Sequence, residues 1–153
     1  MKSLEALLED ERGATARLLD ALREEHQALV RRDMTALDHA VNKKSQQVAE
    51  LEILGRDRDA ALKAAGHAAG REGIESWLSR QPSGAARKLW QELQNLLLRC
   101  QRQNLINGGI VETSRRFTQR ALSLLQGQSA EPALYGPSGA SGPATHPSLY
   151  TRI

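Results

Sequence analysis

Leucine and alanine recur at alternating spacings of three and four residues along three long stretches of this chain. The first stretch runs from Ser3 to about Val30, the second from about Asp33 to about Lys63, and the third from about Ala85 to about Gln126. Because residues three and four apart lie on one face of an α-helix, each stretch predicts a long amphipathic helix. The third helix would span roughly 63 Å and needs the two shorter helices to cover its apolar stripe.

The apolar stripes predict which residues form the core. The first stripe contains Leu4, Leu8, Thr15, Leu18, Leu22 and Leu29, widened by Leu7, Ala14, Ala21 and Ala28. The second contains Leu37, Val41, Val48, Leu51, Leu54 and Leu62. The third contains Leu89, Leu93, Leu96, Cys100, Asn107, Ile110, Phe117, Ala121 and Leu124.

Short connections between these helices predict their order. Asp33 or Thr35 is expected to cap the second helix, and the short link makes the first two helices antiparallel. The glycines of "AAGHAAGREG" predict a bend or loop, followed by a short extra helix at "IESWLSR". The predicted fold is therefore all-α: an elongated antiparallel three-helix bundle or coiled coil, with Trp77 and Trp90 covering one end of its core.

The composition changes sharply after Gly127, which is placed to cap the third helix. Four of the five prolines lie in residues 128–153, together with many Gly and Ser residues and few charges. We expect residues 1–127 to form the helical domain and residues 128–153 to be a flexible, disordered tail. Its apolar dipeptides Leu134-Tyr135 and Leu149-Tyr150 are either anchors for a partner or incidental residues of a spacer.

The composition argues against several classes of function. Aromatic residues make up only 3% of the chain, so a deep substrate pocket is not expected, and no phosphate-binding loop or metal-ligand motif is present. Cys100, the single cysteine, falls at a core position, and we expect neither catalysis nor a cofactor or metal. The acidic start and the lack of a long apolar run predict a cytoplasmic protein without stable membrane insertion. Acidic residues are interspersed with the basic ones, so nucleic acid is not an expected partner.

The segment "QNLINGGIVE" interrupts the third helix with residues that do not favour a packed helix. Asn104 and Asn107 lie on or beside the apolar stripe, and Gly108 and Gly109 each cost roughly 0.5–1 kcal/mol relative to alanine. Buried asparagines fix helix register, and glycines let another backbone approach or let the helix bend. Alternatively, this weak point is where the bundle opens to accept a partner helix.

These residues also resemble a known family. The segment "NLINGGIV", with its pattern Asn-x-x-Asn-Gly, is preceded by "LLLRCQRQ" and followed by a tail that contains Tyr-Gly-x-x-Gly at Tyr135, Gly136 and Gly139. Together with the leading hairpin "LLEDE...LLDALREEHQALVRRDMTAL" and "NKKSQQVAEL", they resemble the FlgN family of flagellar export chaperones. The chain departs from that pattern in its Gly- and Pro-rich extension, which ends "HPSLYTRI".

The resemblance implies a chaperone of the flagellar type III export pathway. Such a protein binds the hook-filament junction proteins FlgK and FlgL, prevents their premature association and docks on the export gate protein FlhA. Docking would be carried over to Tyr135, Gly136 and Gly139, although Tyr150 of the extension is a second candidate. We expect the cargo contact at Ile110, Val111, Phe117, Leu122, Leu125 and Leu134. A self-associating coiled-coil adaptor, structural or regulatory, is the alternative interpretation.

Overall fold

Four α-helices form the part of the chain that the structure describes, residues 1–126 of a computed structural model. They are α1 (Leu4–Arg31), α2 (Met34–Ala64), α3 (Gly70–Leu78) and α4 (Ala85–Leu125), and no strand occurs in this part of the chain. The all-α prediction, including the short extra helix, is confirmed. The tail, residues 128–153, and the cap predicted at Gly127 lie outside the described residues.

Side-chain caps start both α1 and α2, and of the two only the cap of α2 was predicted. The Ser3 hydroxyl accepts a hydrogen bond from the Ala6 amide at 3.2 Å, and the Asp33 carboxylate accepts one from the Ala36 amide at 3.0 Å. Asp33, rather than Thr35, therefore caps α2. Arg32 ends α1 in the left-handed conformation with φ 55°, so the turn between α1 and α2 occupies only two residues.

The three long helices run up, down and up. Lys43 reaches Glu24 and Arg58 reaches Glu11, so α2 is antiparallel to α1. The Cys100 thiol lies 3.6 Å from the Thr15 carbonyl oxygen, and further along α4 the Asn107 amide lies 2.9 Å from the Leu22 carbonyl oxygen. From the first contact to the second, the residue number rises along both helices, so α4 is parallel to α1.

The core contains most residues of the predicted stripes, and at one end of the bundle it stops at the turn between α1 and α2. Its largest fully buried apolar side chains are Leu8, Leu18, Leu22, Leu51, Leu62, Ile74 and Leu93. Trp90 belongs to this core and Trp77 packs against it from α3. Three predicted core residues are wrong: Val41 is exposed because the neighbouring Ala40 faces α1, and Phe117 and Leu124 are exposed because no described helix covers that part of α4.

A charged pair also lies inside the bundle, between α1 and α2. Glu11 is 0% exposed and Arg58 5% exposed, and one guanidinium nitrogen of Arg58 donates to both carboxylate oxygens of Glu11, at 2.7 and 3.0 Å. Two charges removed from water are stable only when they are paired and hydrogen-bonded. Sliding α2 along α1 would separate these two buried charges, so the pair disfavours other alignments of the two helices.

Candidate protein-binding surface

Helix α4 extends past the turn that joins α1 and α2. Asn107 lies beside Leu22, and nine residues further along each parallel helix Arg31 ends α1 opposite about residue 116 of α4. The remaining residues of α4, up to Leu125, project about 14 Å beyond the hairpin at 1.5 Å per residue. The projecting end of α4 is therefore a helix without a neighbour among the described residues.

The apolar stripe of α4 continues onto this projecting end. Leu122 and Leu125 follow Val111 at positions that would face α1 if α1 were longer, and they are 51% and 85% exposed. Apolar side chains in such a row normally mark a contact with another protein. The sequence thus supplies an interface-forming stripe for which the described part of the chain has no partner helix.

An open groove lies at the base of the projecting end, where all three long helices meet. Its volume is about 720 Å³. It is lined from the hairpin by Ala28, Leu29, Arg32, Met34 and Leu37, and from α4 by Ile110, Val111, Thr113, Ser114, Phe117 and Thr118. We refer to these residues as the hairpin-tip groove.

The hairpin-tip groove has the chemistry of a site for an apolar helix. Phe117 is 73% exposed, and Met34 and Val111 are 64% and 52% exposed, so three large apolar side chains face solvent around one concavity. Thr113, Ser114 and Thr118 add hydroxyl groups to its lining. An apolar groove edged by a few polar groups is the arrangement that binds one face of an amphipathic helix.

The two asparagines of "QNLINGGIVE" lie just below the groove and bind both neighbouring helices. The Asn107 side chain is 2% exposed and its amide donates to the Leu22 carbonyl and to the Glu25 carboxylate, both at 2.9 Å. Asn104 accepts a hydrogen bond from Lys44 at 2.7 Å, and Lys44 also pairs with Glu25 at 3.5 Å. We call Asn104, Asn107, Glu25 and Lys44 the asparagine cluster. It links α1, α2 and α4 at one level of the bundle.

The two glycines beside this cluster face away from the rest of the described chain. A Cβ atom added at Gly108 or Gly109 would have no atom within 4 Å, apart from the backbone of α4 itself. Close approach by another described segment therefore does not explain these glycines.

Residues 1–126 contain one cysteine, Cys100, which is the candidate nucleophile of this part of the chain. Cys100 is fully buried as predicted, and burial raises the pKa of its thiol to about 12, so the thiol is protonated and unreactive at neutral pH. Residues 1–126 contain no group of three or more His, Cys, Asp or Glu side chains arranged to hold a metal ion. Within the same residues, no helix combines the length and apolar character needed to cross a membrane.

The structure brings together only some of the predicted site residues. Ile110, Val111 and Phe117 line the hairpin-tip groove, whereas Leu122 and Leu125 lie on the projecting end. Leu134, Tyr135, Gly136, Gly139 and Tyr150 lie outside the described residues. The hairpin side of the groove, which includes Arg32, Met34 and Leu37, was not among the predicted site residues. The third predicted helix is longer than each of the first two, and this difference in length was the sequence signal for a groove beside the turn between them.

An all-α bundle that exposes an apolar helix end beside a groove is typical of helical proteins that bind other proteins. Comparison with known proteins identifies the family of this chain. The model of the family described as "FlgN protein" matches residues 1–142. The chain is also similar to a solved structure of a flagella synthesis protein FlgN from Pseudomonas aeruginosa, with 34% sequence identity and a TM-score of 0.62, over 71% of this chain and 86% of that one. No curated protein matches the sequence.

The chain therefore belongs to the FlgN family, a family of flagellar chaperones. The resemblance found in the sequence is confirmed.

Proposed function

We propose that this protein binds the hook-filament junction proteins FlgK and FlgL in the cytoplasm and holds their terminal helices apart until export. The exposed apolar surface formed by the hairpin-tip groove and the projecting end of α4 carries this proposal. Export substrates that assemble through amphipathic helices must have their apolar faces covered beforehand. A groove lined by residues of all three long helices can cover one such face, and the projecting end of α4 can lie along it.

The exposed side chains supply a large part of the free energy that a complex of moderate strength needs. Fully burying one large apolar side chain contributes roughly 1.5–3 kcal/mol, and a micromolar dissociation constant corresponds to about 8 kcal/mol. Met34, Val111, Phe117, Leu122 and Leu125 are all more than half exposed. Burying these five residues yields at most roughly 7.5–15 kcal/mol, against association costs of about 4–15 kcal/mol, so further contacts along the cargo helix are needed to reach micromolar affinity.

Delivery to the export gate is assigned to the tail. We propose that Tyr135, with Gly136 and Gly139, docks on the gate protein FlhA, with Tyr150 as the second candidate. Leu134, next to Tyr135, is assigned to the cargo contact. Cargo binding and gate docking would thus occupy adjoining parts of the chain, so that one molecule can hold a client and present it.

Calorimetric titration of the full chain with a C-terminal peptide of FlgK tests the cargo assignment. We expect saturable binding at tens of micromolar, and a Phe117→Ser variant should bind at least about tenfold more weakly because it loses roughly 1.5–3 kcal/mol of burial. Leu105→Ser is the matched control, since Leu105 is 75% exposed and Phe117 73%, but Leu105 does not line the groove. Absence of binding, or equal losses in both variants, would refute the assignment.

The gate assignment needs a separate measurement. Tyr135→Ala should weaken binding of the full chain to the cytoplasmic part of FlhA while leaving its affinity for the FlgK peptide unchanged. Tyr150→Ala is the control for a tail tyrosine outside the Tyr-Gly-x-x-Gly pattern. If Tyr150→Ala alone abolishes binding to FlhA, the docking role belongs to the extension instead.

A further inference from the structure

A second exposed surface runs along the side of α4 that faces away from α1. Leu98, Leu105 and Ile106 are 52%, 75% and 52% exposed there, and none of them lines the hairpin-tip groove. A row of six residues follows this side at alternating spacings of four and three. It consists of Leu98, Arg102, Leu105, Gly109, Glu112 and Arg116. We call this row the back seam of α4.

The spacing of the back seam is that of a two-stranded coiled coil. Residues that alternate by three and four form a nearly straight line on an α-helix, and a second helix can lie along that line. Residues 85–110 of α4 already use the opposite side to pack against the bundle. Among residues 1–126 no other helix covers the back seam, so this surface can meet another molecule while the bundle stays intact.

We propose that the back seam binds the back seam of a second copy of this chain, with the two α4 helices antiparallel and the twofold axis beside residue 107. In that alignment, the numbers of any two residues that face each other add up to 214. Arg102 then faces Glu112 of the second copy, Leu105 faces Gly109, and Leu98 faces Arg116. Each contact occurs twice because the interface is symmetric.

Charge selects this orientation over the parallel one. In a parallel pair, Arg102, Glu112 and Arg116 would each face their own copies, so three like-charge contacts would lie along one short seam. The antiparallel pair replaces them with two Arg102–Glu112 contacts of opposite charge, and it lays the aliphatic stem of Arg116 over Leu98. Among residues 1–126 no ion pair engages Arg102, whereas Glu112 already pairs with Arg115 and Arg116. Glu112 can accept a further cation because both its partners are exposed.

The same register gives Gly108 and Gly109 a physical role. Within the described chain a Cβ atom at either position would touch nothing, although both glycines weaken α4. In the antiparallel pair Leu105 lies over Gly109, and Ile106 lies beside Gly108, of the second copy. Because glycine has no side chain, the two helices can approach closely where Leu105 and Ile106 of each copy contact the other.

The back seam and the hairpin-tip groove are separate surfaces. Val111 and Phe117 of the groove do not belong to the seam, so a dimer would leave two grooves open. The seam spans residues 98–116, roughly 27 Å of helix, which is short for a permanent interface. We therefore expect a weak dimer that forms at high concentration, and this expectation does not depend on the identity of the cargo.

Sedimentation equilibrium of the full chain between about 10 µM and 1 mM tests the proposal. We expect a reversible monomer–dimer equilibrium. Leu105→Ser should weaken association at least tenfold, and Arg102→Glu should do the same because it creates two contacts between like charges. The double variant Arg102→Glu with Glu112→Arg should restore association to within about threefold. Restoration by a charge swap is a result that general damage to the fold cannot produce.

A glycine substitution distinguishes an effect on dimer association from an effect on helix stability. Gly109→Ala should raise the melting temperature of the monomer but weaken association, whereas Gly13→Ala in α1, which also has room for a Cβ atom, should leave association unchanged. Phe117→Ser should also leave association unchanged. A monomer at all concentrations, failure of the charge swap, or loss of association in Phe117→Ser but not in Leu105→Ser would overturn the proposal.

Discussion

Replacing Asn107 with alanine is expected to lower the free energy of unfolding by about 2–4 kcal/mol, which is a large effect for one polar side chain. The Asn107 side chain is 2% exposed and makes three hydrogen bonds, to the Leu22 carbonyl, the Glu25 carboxylate and the Gln103 side chain, at 2.9, 2.9 and 3.0 Å. Alanine removes all of them and leaves a small cavity between α1 and α4.

The magnitude follows from the type of each hydrogen bond. A buried neutral hydrogen bond contributes about 0.5–1.5 kcal/mol and one to a charged group about 1.5–3 kcal/mol, which covers the contacts with Leu22 and Glu25. Gln103 is half-buried, so its side chain regains a partner in water. Lys44 remains paired with Glu25, which keeps the loss from exceeding this range.

Urea unfolding of the full chain, followed by circular dichroism at 222 nm, measures this loss. At roughly 2–4 °C per kcal/mol, the melting temperature should fall by about 4–16 °C. Asn104→Ala is the matched control: Asn104 is half-buried and bonds only with the partly exposed Lys44, so its loss should stay below about 1 kcal/mol. A loss below about 0.5 kcal/mol for Asn107→Ala, or equal losses for both variants, would refute the idea that Asn107 anchors α4 on α1.

Further perturbations probe the rest of the bundle. Gly108→Ala should stabilise the protein by about 0.5–1 kcal/mol in thermal unfolding, since the added methyl group touches nothing; a destabilised variant would contradict this. Arg58→Ala should cost about 3–5 kcal/mol in urea unfolding by leaving Glu11 buried without its cation, and a loss under 1 kcal/mol would argue against a buried pair. With its thiol pKa raised to about 12, Cys100 should react with iodoacetamide at pH 8 at least about 100-fold more slowly in the native than in the unfolded protein. Amide hydrogens of residues 117–125 should exchange faster than those of residues 90–107, because no described helix packs there, and equal protection would contradict a projecting end.

Helix boundaries were predictable wherever a local signal specifies them. Ser3 and Asp33 supply side-chain caps, and the predicted stripe of α1 contains eight of its eleven buried residues, all except Glu11, Leu19 and Glu25. The pattern was less decisive in α2, where apolar residues are sparse near the start. Ala40 and Val41 are both apolar and lie 100° apart on the helix, and the spacing alone favoured Val41, the one that the structure exposes.

The polar interior was not predictable from the sequence. Glu11 and Arg58 lie 47 positions apart and look like surface charges, because nothing local to either residue indicates a buried partner. Their burial depends on how α1 and α2 align, which is a tertiary property. Asn107 stands out in the sequence as a polar residue within an apolar stripe, but its partners Leu22 and Glu25 are not predictable, because they too depend on how the helices align.

Unequal helix lengths create the hairpin-tip groove. The α1–α2 turn closes within two residues, and Arg32 accepts a left-handed conformation that usually belongs to glycine, so the hairpin ends abruptly at Arg31. The hydrogen bond from Asn107 to the Leu22 carbonyl joins α4 to α1 at one level, and we propose that this contact sets how much of α4 passes the turn. A hairpin longer by seven residues in each helix would rise about 10.5 Å further and cover Phe117 and Leu122. The stripe is exposed because α4 is longer than the hairpin and because α4 is aligned along α1 so that its end passes the turn. Both are properties of the whole fold, which explains why the groove residues share no sequence motif of their own.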